Sequence, residues 1–229
     1  VFAEIQKVGL FDVELADEGE AIASGMLTMI GPDLMDSYIA KVREQSVNPG
    51  ICEGAGLRVV YTPLNGTGNI PVRRILRETG VSDVTVVPEQ EHPDGTFKTC
   101  PFPNPEIREA LDVGLALAKK VDADLLVATD PDADRIGIAV KNGEDYTLFS
   151  GNEVGVMLLY YLAAVRTEKG TMPAHPIAIR TVVTSRLTDA IAKAFGVEIA
   201  ECLTGFKFIG GIILGLEEKG EADRFIFGF

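Results

Sequence analysis

Two stretches of this chain, Leu57 to Val87 and Ile177 to Glu201, pass through the same order of signals. Each has a short apolar run of strand type, a turn, a helical pattern, a Gly-Val pair and a second short run. In the first, strands Leu57–Tyr61 and Val84–Val87 flank a helix from Pro71 to Thr79, with proline at its start and Gly80 at its stop. In the second, strands Ile177–Val183 and Glu198–Glu201 flank a helix from Arg186 to Phe195, followed by Gly196-Val197. The same strand–helix–strand unit therefore occurs twice, which predicts an α/β protein, with a boundary near Phe149.

Between the two units lies Asp124-Leu-Leu-Val-Ala-Thr-Asp-Pro-Asp-Ala-Asp-Arg135. Leu125 to Ala128 form a buried-strand signal, after which Asp130, Asp132 and Asp134 take alternate positions and Arg135 closes the run. Three carboxylates this close repel one another unless a cation sits among them, and hard oxygen donors suit Mg²⁺. The C-terminal end of a strand is also where open α/β sheets place ligands. The stretch reads as a Mg²⁺ loop with an arginine for a phosphate beside it. A calcium loop of the EF-hand kind would need Gly and Glu where Arg135 and Lys141 stand, so that reading fails. A phosphatase of the haloacid dehalogenase kind, with Asp130 as nucleophile, competes for the same residues, but it wants Thr or Val in place of Asp134. A solvated acidic turn is the plain alternative.

The net charge of −13 excludes nucleic acid as a partner, since its recognition needs a basic face. Cys52, Cys100 and Cys202 are widely spaced with no zinc pattern, and they read as reduced cytosolic thiols, a cytoplasmic signature. The longest apolar segment, Val154 to Val165, is too short for a bilayer, so no membrane partner is expected. No signal peptide opens the chain, which begins at Val1 without a basic region, and the apolar strand expected at Arg224–Phe229 ends it abruptly. Both ends predict a piece of a longer protein.

The remaining signals are local. Residues 1–31 carry scattered acids, including Asp12, Glu14, Asp17 and Glu18, and read as an entering strand plus a linker. A helix from Pro32 carries the stripe Leu34, Met35, Tyr38, Ile39 and Val42. Pro63-Leu-Asn-Gly-Thr-Gly-Asn69 lacks the Gly-Lys-Ser/Thr of a phosphate loop and reads better as a tight strand-to-helix turn. Glu89 to Pro105 is a long loop, and a helix from Asn104 through Lys120 presents Ile107, Leu111, Leu115 and Ala118 on one face. Ile136–Val140 and Tyr146–Phe149 form a hairpin across Lys141–Asp145, and Ser150 caps a helix that is apolar nearly all round and expected to be buried. His92 and His175 have no visible partner and read as structural. Lys207 falls in the first turn of the last helix, against the helix dipole; an anion in the same place and a solvated surface lysine are equal readings of it.

Asp-Pro-Asp-Ala-Asp-Arg135 resembles the metal loop of the α-D-phosphohexomutases, the phosphoglucomutase and phosphomannomutase family. Thr62-Pro-Leu-Asn-Gly-Thr-Gly68, Pro88-Glu-Gln90 with Pro93-Asp-Gly95, Pro103-Asn-Pro-Glu106, Ser150-Gly-Asn-Glu153 and Thr204-Gly-Phe-Lys207 look like further family segments in family order. The resemblance implies two consecutive α/β/α sandwich domains with mixed sheets. Residues 1–149 would be domain two with an entering linker, and residues 150–229 an incomplete domain three. It implies an enzyme that interconverts hexose 1- and 6-phosphates through a phosphoserine and a bisphosphate. Asp130, Asp132 and Asp134 would hold Mg²⁺, Arg135 would steady the phosphoryl oxygens, and Lys207 would serve near the reacting hydroxyl. The substrate would be a hexose phosphate, with glucose and mannose as rival sugars. The family's Ser-His phosphoserine loop has no match here, because no Ser is followed by His. The sugar-specificity loop, the phosphate clamp and the rest of domains one and four are likewise not found, so these residues alone are expected to be inactive.

Overall fold

The computed structural model describes every residue except Leu10, Val13 and Glu14; of the N-terminal acids, Glu14 thus lies outside the described residues. The chain divides into two units, Val1–Lys41 and Val42–Phe229. The first holds two short helices, α1 (Phe2–Ile5) and α2 (Glu18–Ala23), and most of a third, α3 (Pro32–Glu44). The expected entering strand is not found among the described residues of this unit. Its acids serve helix starts instead, with the Asp17 carboxylate accepting from the Glu20 N–H at 2.9 Å. In α3 only Ile39 of the expected stripe is fully buried, while Leu34 and Tyr38 are exposed.

The second unit contains two sheets. The larger has the order β2-β1-β3-β4-β5, built from β1 (Arg58–Thr62), β2 (Asp83–Val86), β3 (Leu125–Thr129), β4 (Ile136–Asn142) and β5 (Asp145–Phe149). Helix α4 (Asn69–Glu78) joins β1 to β2, and α5 (Arg108–Val121) returns the chain to β3; both pairings are parallel, as such crossovers require. β3, β4 and β5 are antiparallel neighbours, so this sheet is mixed. Alternate residues of the strands face opposite helices. Val60, Leu126 and Ala128 pack with Leu111, Leu115 and Ala118 of α5, while Val59, Tyr61 and Val127 face Val72 and Leu76 of α4. The result is a three-layer α/β/α sandwich.

The smaller sheet, in the order β7-β6-β8, comprises β6 (Ile177–Thr181), β7 (Glu198–Cys202) and β8 (Phe225–Gly228), all parallel. Helices α6 (Gly151–Glu168) and α7 (Leu187–Phe195) cover one face, with Val156, Leu159 and Ile191 in the core, and α8 (Phe206–Glu217) covers the other with Ile209 and Leu216. The repeat seen in the sequence is real at this level. Gly196, in left-handed conformation at φ 68°, ends α7 and turns the chain into β7, as Gly80 at φ 100° does after α4.

Two helix expectations shift. α5 starts at Arg108 rather than Asn104, because the Asn104 carbonyl oxygen of the side chain accepts from the Glu106 N–H and makes a turn there; Ile107 is left partly exposed. α6 has the capping box read from Ser150 and Glu153, but it is not buried all round. Met157, Leu158, Tyr160 and Tyr161 are 37–56% exposed, since a three-stranded sheet and α7 cover only one side of the helix. No helix among the described residues is long and apolar enough to cross a membrane.

The two sheets are linked by side chains at both ends of α6. The Glu106 carboxylate accepts from the Gly151 N–H at 2.8 Å, and Lys169 Nζ donates to the Val47 carbonyl and to Asn48 Oδ1 at 2.9 Å each.

Candidate metal and phosphate site

The register of β3 against β4, Thr129 opposite Ile136, makes residues 130–135 the loop at the C-terminal end of β3. β3 lies parallel to β1, so this loop stands beside the turn that follows Thr62. Within it, one carboxylate oxygen from each of Asp130, Asp132 and Asp134 lies within 4.8 Å of the others, so the three could share one metal ion. Asp130 is buried; Asp132 and Asp134 are exposed.

Arg135 organises the cluster. Its backbone N–H donates to Asp130 Oδ1 at 2.9 Å and its Nε to Asp130 Oδ2 at 3.0 Å; Nε also lies 3.6 Å from Asp134 Oδ1. Burial works to raise the Asp130 carboxyl, but the Arg135 backbone N–H, a hydrogen bond with Asp132 and the Arg135 guanidinium together hold it below the usual carboxylate range. Asp134 moves the other way. Partial desolvation, then its hydrogen bond and charge repulsion with Asp130 and the charge of Asp132, push it up against the pull of Arg135. One arginine cannot neutralise three carboxylates, and the residual repulsion is what a divalent cation would relieve. An all-oxygen donor set of this kind suits Mg²⁺.

The loop backbone is tightly specified. The Ala133 N–H donates to the Asp130 carbonyl at 3.0 Å, and Ala133 takes φ 60°, a left-handed conformation unusual for a residue with a Cβ. The turn after β1 presses on the loop from the side. A Cβ on Gly66 would lie 2.4 Å from Pro131 Cα, so only glycine fits there. This is why the glycine-rich turn is needed: it accommodates protein backbone, in keeping with its reading as a turn. Below it, the Tyr61 and Thr129 hydroxyls are bonded at 2.9 Å.

A cavity of about 580 Å³ opens beside the loop, lined by Asp130, Pro131, Asp132 and Arg135, by Thr67, and by Phe102, Pro103, Asn104 and Ile107. Asp130, Asp132, Asp134 and Arg135 are thus brought together as the sequence predicts. Lys207 is not among the residues lining this cavity. It occupies the first turn of α8, at the C-terminal end of β7, with its Nζ 5.0 Å from the centroid of the Phe208 ring. Sequence reasoning did not single out Thr67 or the Phe102–Ile107 wall. The available signal was the pairing of the Gly66-Thr-Gly68 turn with the proline-rich Pro103-Asn-Pro-Glu106 segment, which carry no chemistry in isolation. Asp134 stands where a phosphatase of the haloacid dehalogenase kind wants Thr or Val, which counts against Asp130 as a nucleophile.

Over most of its length the chain is similar to known proteins. Residues 36–143 match the family profile described as phosphoglucomutase/phosphomannomutase, alpha/beta/alpha domain II, and residues 150–222 match alpha/beta/alpha domain III of the same family. The chain is 36% identical over 213 residues to a phosphoribomutase of Saccharomyces cerevisiae, covering 88% of this chain and 34% of that protein. It is 34% identical over 203 residues to a phosphoglucomutase of Staphylococcus saprophyticus, covering 88% of this chain and 36% of that one. A phosphoglucomutase of Staphylococcus aureus is 32% identical over 244 residues, covering 98% of this chain and 43% of its own length. The chain therefore spans well under half of each relative. Among solved structures, a phosphoglucomutase/phosphomannomutase family protein from Burkholderia thailandensis shares the fold, with a TM-score of 0.59 at 21% identity over 82% of this chain and 36% of that one. With a mixed first sheet, a parallel second sheet and matches to two successive family domains, the chain belongs to the phosphoglucomutase/phosphomannomutase family.

Proposed function

We propose that this chain is the central part of a phosphoglucomutase-type phosphohexomutase, with domain two ending near Phe149 and domain three following from residue 150. The whole enzyme would interconvert hexose 1-phosphate and hexose 6-phosphate through a phosphoserine and a bisphosphate, and would work in the cytoplasm, where its three free cysteines stay reduced. The observation that carries this reading is the convergence of three carboxylates within 4.8 Å, with Arg135 in the same cavity, in a chain that matches the family's domain II.

In this reading Asp130, Asp132 and Asp134 hold Mg²⁺, which when bound supplies Lewis-acid charge neutralisation for phosphoryl transfer. Asp130 is the anchor, buried and oriented by two bonds from Arg135. With its Nε on Asp130, Arg135 still has donors on its two terminal nitrogens for phosphoryl oxygens. Lys207 acts near the reacting hydroxyl, from the first turn of α8. The phosphoserine and the remaining domains come from outside these residues.

The test uses two proteins. The 229-residue chain alone should show no turnover of glucose 1-phosphate with Mg²⁺ and catalytic glucose 1,6-bisphosphate; turnover abolished by Asp132→Ala would show that it carries its own nucleophile. In the full-length polypeptide Asp132→Asn should lower kcat at least about 100-fold. Undiminished turnover would remove the aspartates from the chemistry. A phosphomannomutase is the second reading, favoured by the family's shared name, and comparison of mannose 1-phosphate with glucose 1-phosphate decides between them.

A further inference from the structure

The Thr62–Gly68 turn is a family-like segment to which the reading above assigns no task, yet its backbone presses closely on the aspartate loop at Pro131. Two hydrogen bonds run from Thr67 to a single acceptor, the Pro131 carbonyl: the backbone N–H at 2.9 Å and the side-chain Oγ1 at 3.1 Å. That carbonyl belongs to the peptide plane joining Pro131 to Asp132. Pro131 has its φ fixed by its ring, so the orientation of this plane is the main freedom left before the Asp132 Cα. Gly66 closes the other way out, since its Cα stands where the Pro131 backbone leaves no space for a side chain.

The three carboxylates are not held alike. Asp130 and Asp134 both lie against the Arg135 guanidinium, at 3.0 and 3.6 Å. Asp132, among the described residues, has no cation beside it and is exposed. Its side chain meets Asp130, and its Cα–Cβ direction is set by backbone on both sides. On one side is the Pro131 carbonyl held by Thr67, and on the other is Ala133, locked in left-handed conformation by its bond to the Asp130 carbonyl. The turn that carries Thr67 is itself anchored from below. The Asn65 N–H donates to the Gln90 carbonyl at 2.9 Å, and Asn65 Nδ2 donates to the His92 carbonyl at 2.7 Å. Gln90 is fully buried, with its Oε1 accepting from Thr62 Oγ1 at 2.7 Å.

We propose that Thr67 is a positioning residue for metal binding, which aims the Asp132 carboxylate by fixing the Pro131–Asp132 peptide. The proposal rests on the reading of the three aspartates as a metal site. It predicts a role for the hydroxyl itself, because Oγ1 and the backbone N–H share one acceptor and only the hydroxyl can be removed by substitution.

The experiment measures Mn²⁺ uptake by this chain, from the electron paramagnetic resonance signal of free Mn²⁺, for wild type, Thr67→Val, Thr67→Ala, Thr67→Ser and Asp132→Asn. Thr67 is exposed, so the substitutions leave the core untouched, and circular dichroism checks that each variant is folded. Losing one hydrogen bond that orients a ligand should weaken Mn²⁺ binding about three- to tenfold in Thr67→Val and Thr67→Ala, with Thr67→Ser within about twofold of wild type. Rescue by serine separates a hydroxyl that aims Asp132 from a side chain that merely fills space. Thr67→Val and Thr67→Ala binding as tightly as wild type would overturn the proposal, as would Thr67→Ser binding as weakly as Thr67→Val. A wild-type chain that takes up no more Mn²⁺ than Asp132→Asn would instead overturn the metal reading of the loop, and the role of Thr67 with it.

Discussion

Arg135 engages both oxygens of Asp130, one through its backbone N–H at 2.9 Å and the other through Nε at 3.0 Å. The pair is closed within one loop, six residues from end to end, so it forms as soon as the β3–β4 connection does. A buried carboxylate held this way stays ionised, and the loop keeps a fixed negative pole even without a cation. Asp132 and Asp134, exposed beside it, then carry the repulsion that a cation would remove.

Metal binding to this chain should therefore be weak but measurable as stability. Three carboxylates fill only part of an octahedron, and water must complete it, which points to a Kd on the order of millimolar. A ligand bound only by the native state adds RT ln(1 + [L]/Kd), so about 10 mM Mg²⁺ should add roughly 1 kcal/mol, or about 2–4 °C in Tm. Asp132→Asn should match or exceed wild type without metal, one repelling charge being gone, and lose most of the Mg²⁺ response. Thermal melts at matched ionic strength check this. Equal responses of the two proteins would mean that Mg²⁺ acts elsewhere.

Lys207 should matter for turnover and little for folding. Its position in the first turn of α8 opposes the helix dipole, while the Phe208 ring beneath its ammonium returns a comparable few tenths of a kcal/mol to about 1 kcal/mol. These effects nearly cancel, so Lys207→Ala should leave Tm within about 2 °C. In the full-length enzyme kcat should fall about 100-fold or more if the ammonium assists proton transfer. Near-normal kcat in a folded variant would leave Lys207 a surface lysine.

The central strands and the clustering of the three aspartates were legible because they depend on local order. Leu125–Thr129 followed by alternate aspartates gives β3 and its loop from sequence alone, and Ser150 with Glu153 gives the start of α6. What was not legible depends on a second, distant segment. Gly66 and Pro131 are far apart in sequence, and nothing in either shows that one must lack a Cβ for the other. The exposed side of α6 is a similar case. Its Met157, Leu158, Tyr160 and Tyr161 are apolar enough to be core, but how many strands lie under the helix is a tertiary fact. The N-terminal acids misled in the opposite sense, since Asp17 supports a helix start where an entering strand was expected.

Ala133 offers a direct measure of strain in the loop. Its φ of 60° costs an L-residue about 1–2 kcal/mol, whereas glycine adopts it freely but loses about 0.5–1 kcal/mol more backbone entropy on folding. Ala133→Gly should thus be neutral to stabilising, by at most about 1 kcal/mol, and Ala133→Val destabilising by more than about 1 kcal/mol. Urea denaturation at fixed Mg²⁺ gives both numbers. A glycine variant less stable than wild type by more than about 1 kcal/mol would mean that the Ala133 methyl makes contacts that outweigh its backbone strain.

The last prediction concerns Tyr61, fully buried beneath the site with its hydroxyl on Thr129 Oγ1. Burial pushes the phenol up to about 12, against the smaller opposing effects of the Thr129 hydrogen bond and the charge of Arg73. In the unfolded chain the same phenol titrates near its ordinary value of about 10. Between these two values the unfolded state has lost a proton that the folded state keeps. The sign follows from linkage: the stability associated with the neutral phenol is fully present below about pH 10 and is lost as pH rises towards about 12. Two pH units correspond to a loss of about 3 kcal/mol at most. Tyr146, also buried and bonded to the Ala123 carbonyl, is raised in the same direction, so the alkaline slope belongs to more than one residue. The difference between wild type and Tyr61→Phe isolates the share of Tyr61. At pH 8 the variant should be less stable by about 1 kcal/mol, the value of the lost hydroxyl bond, and by pH 11 the gap should close or reverse. Urea midpoints at pH 8, 10 and 11 measure it, and a gap that stays constant across that range would show that the Tyr61 phenol ionises no later in the fold than in the unfolded chain.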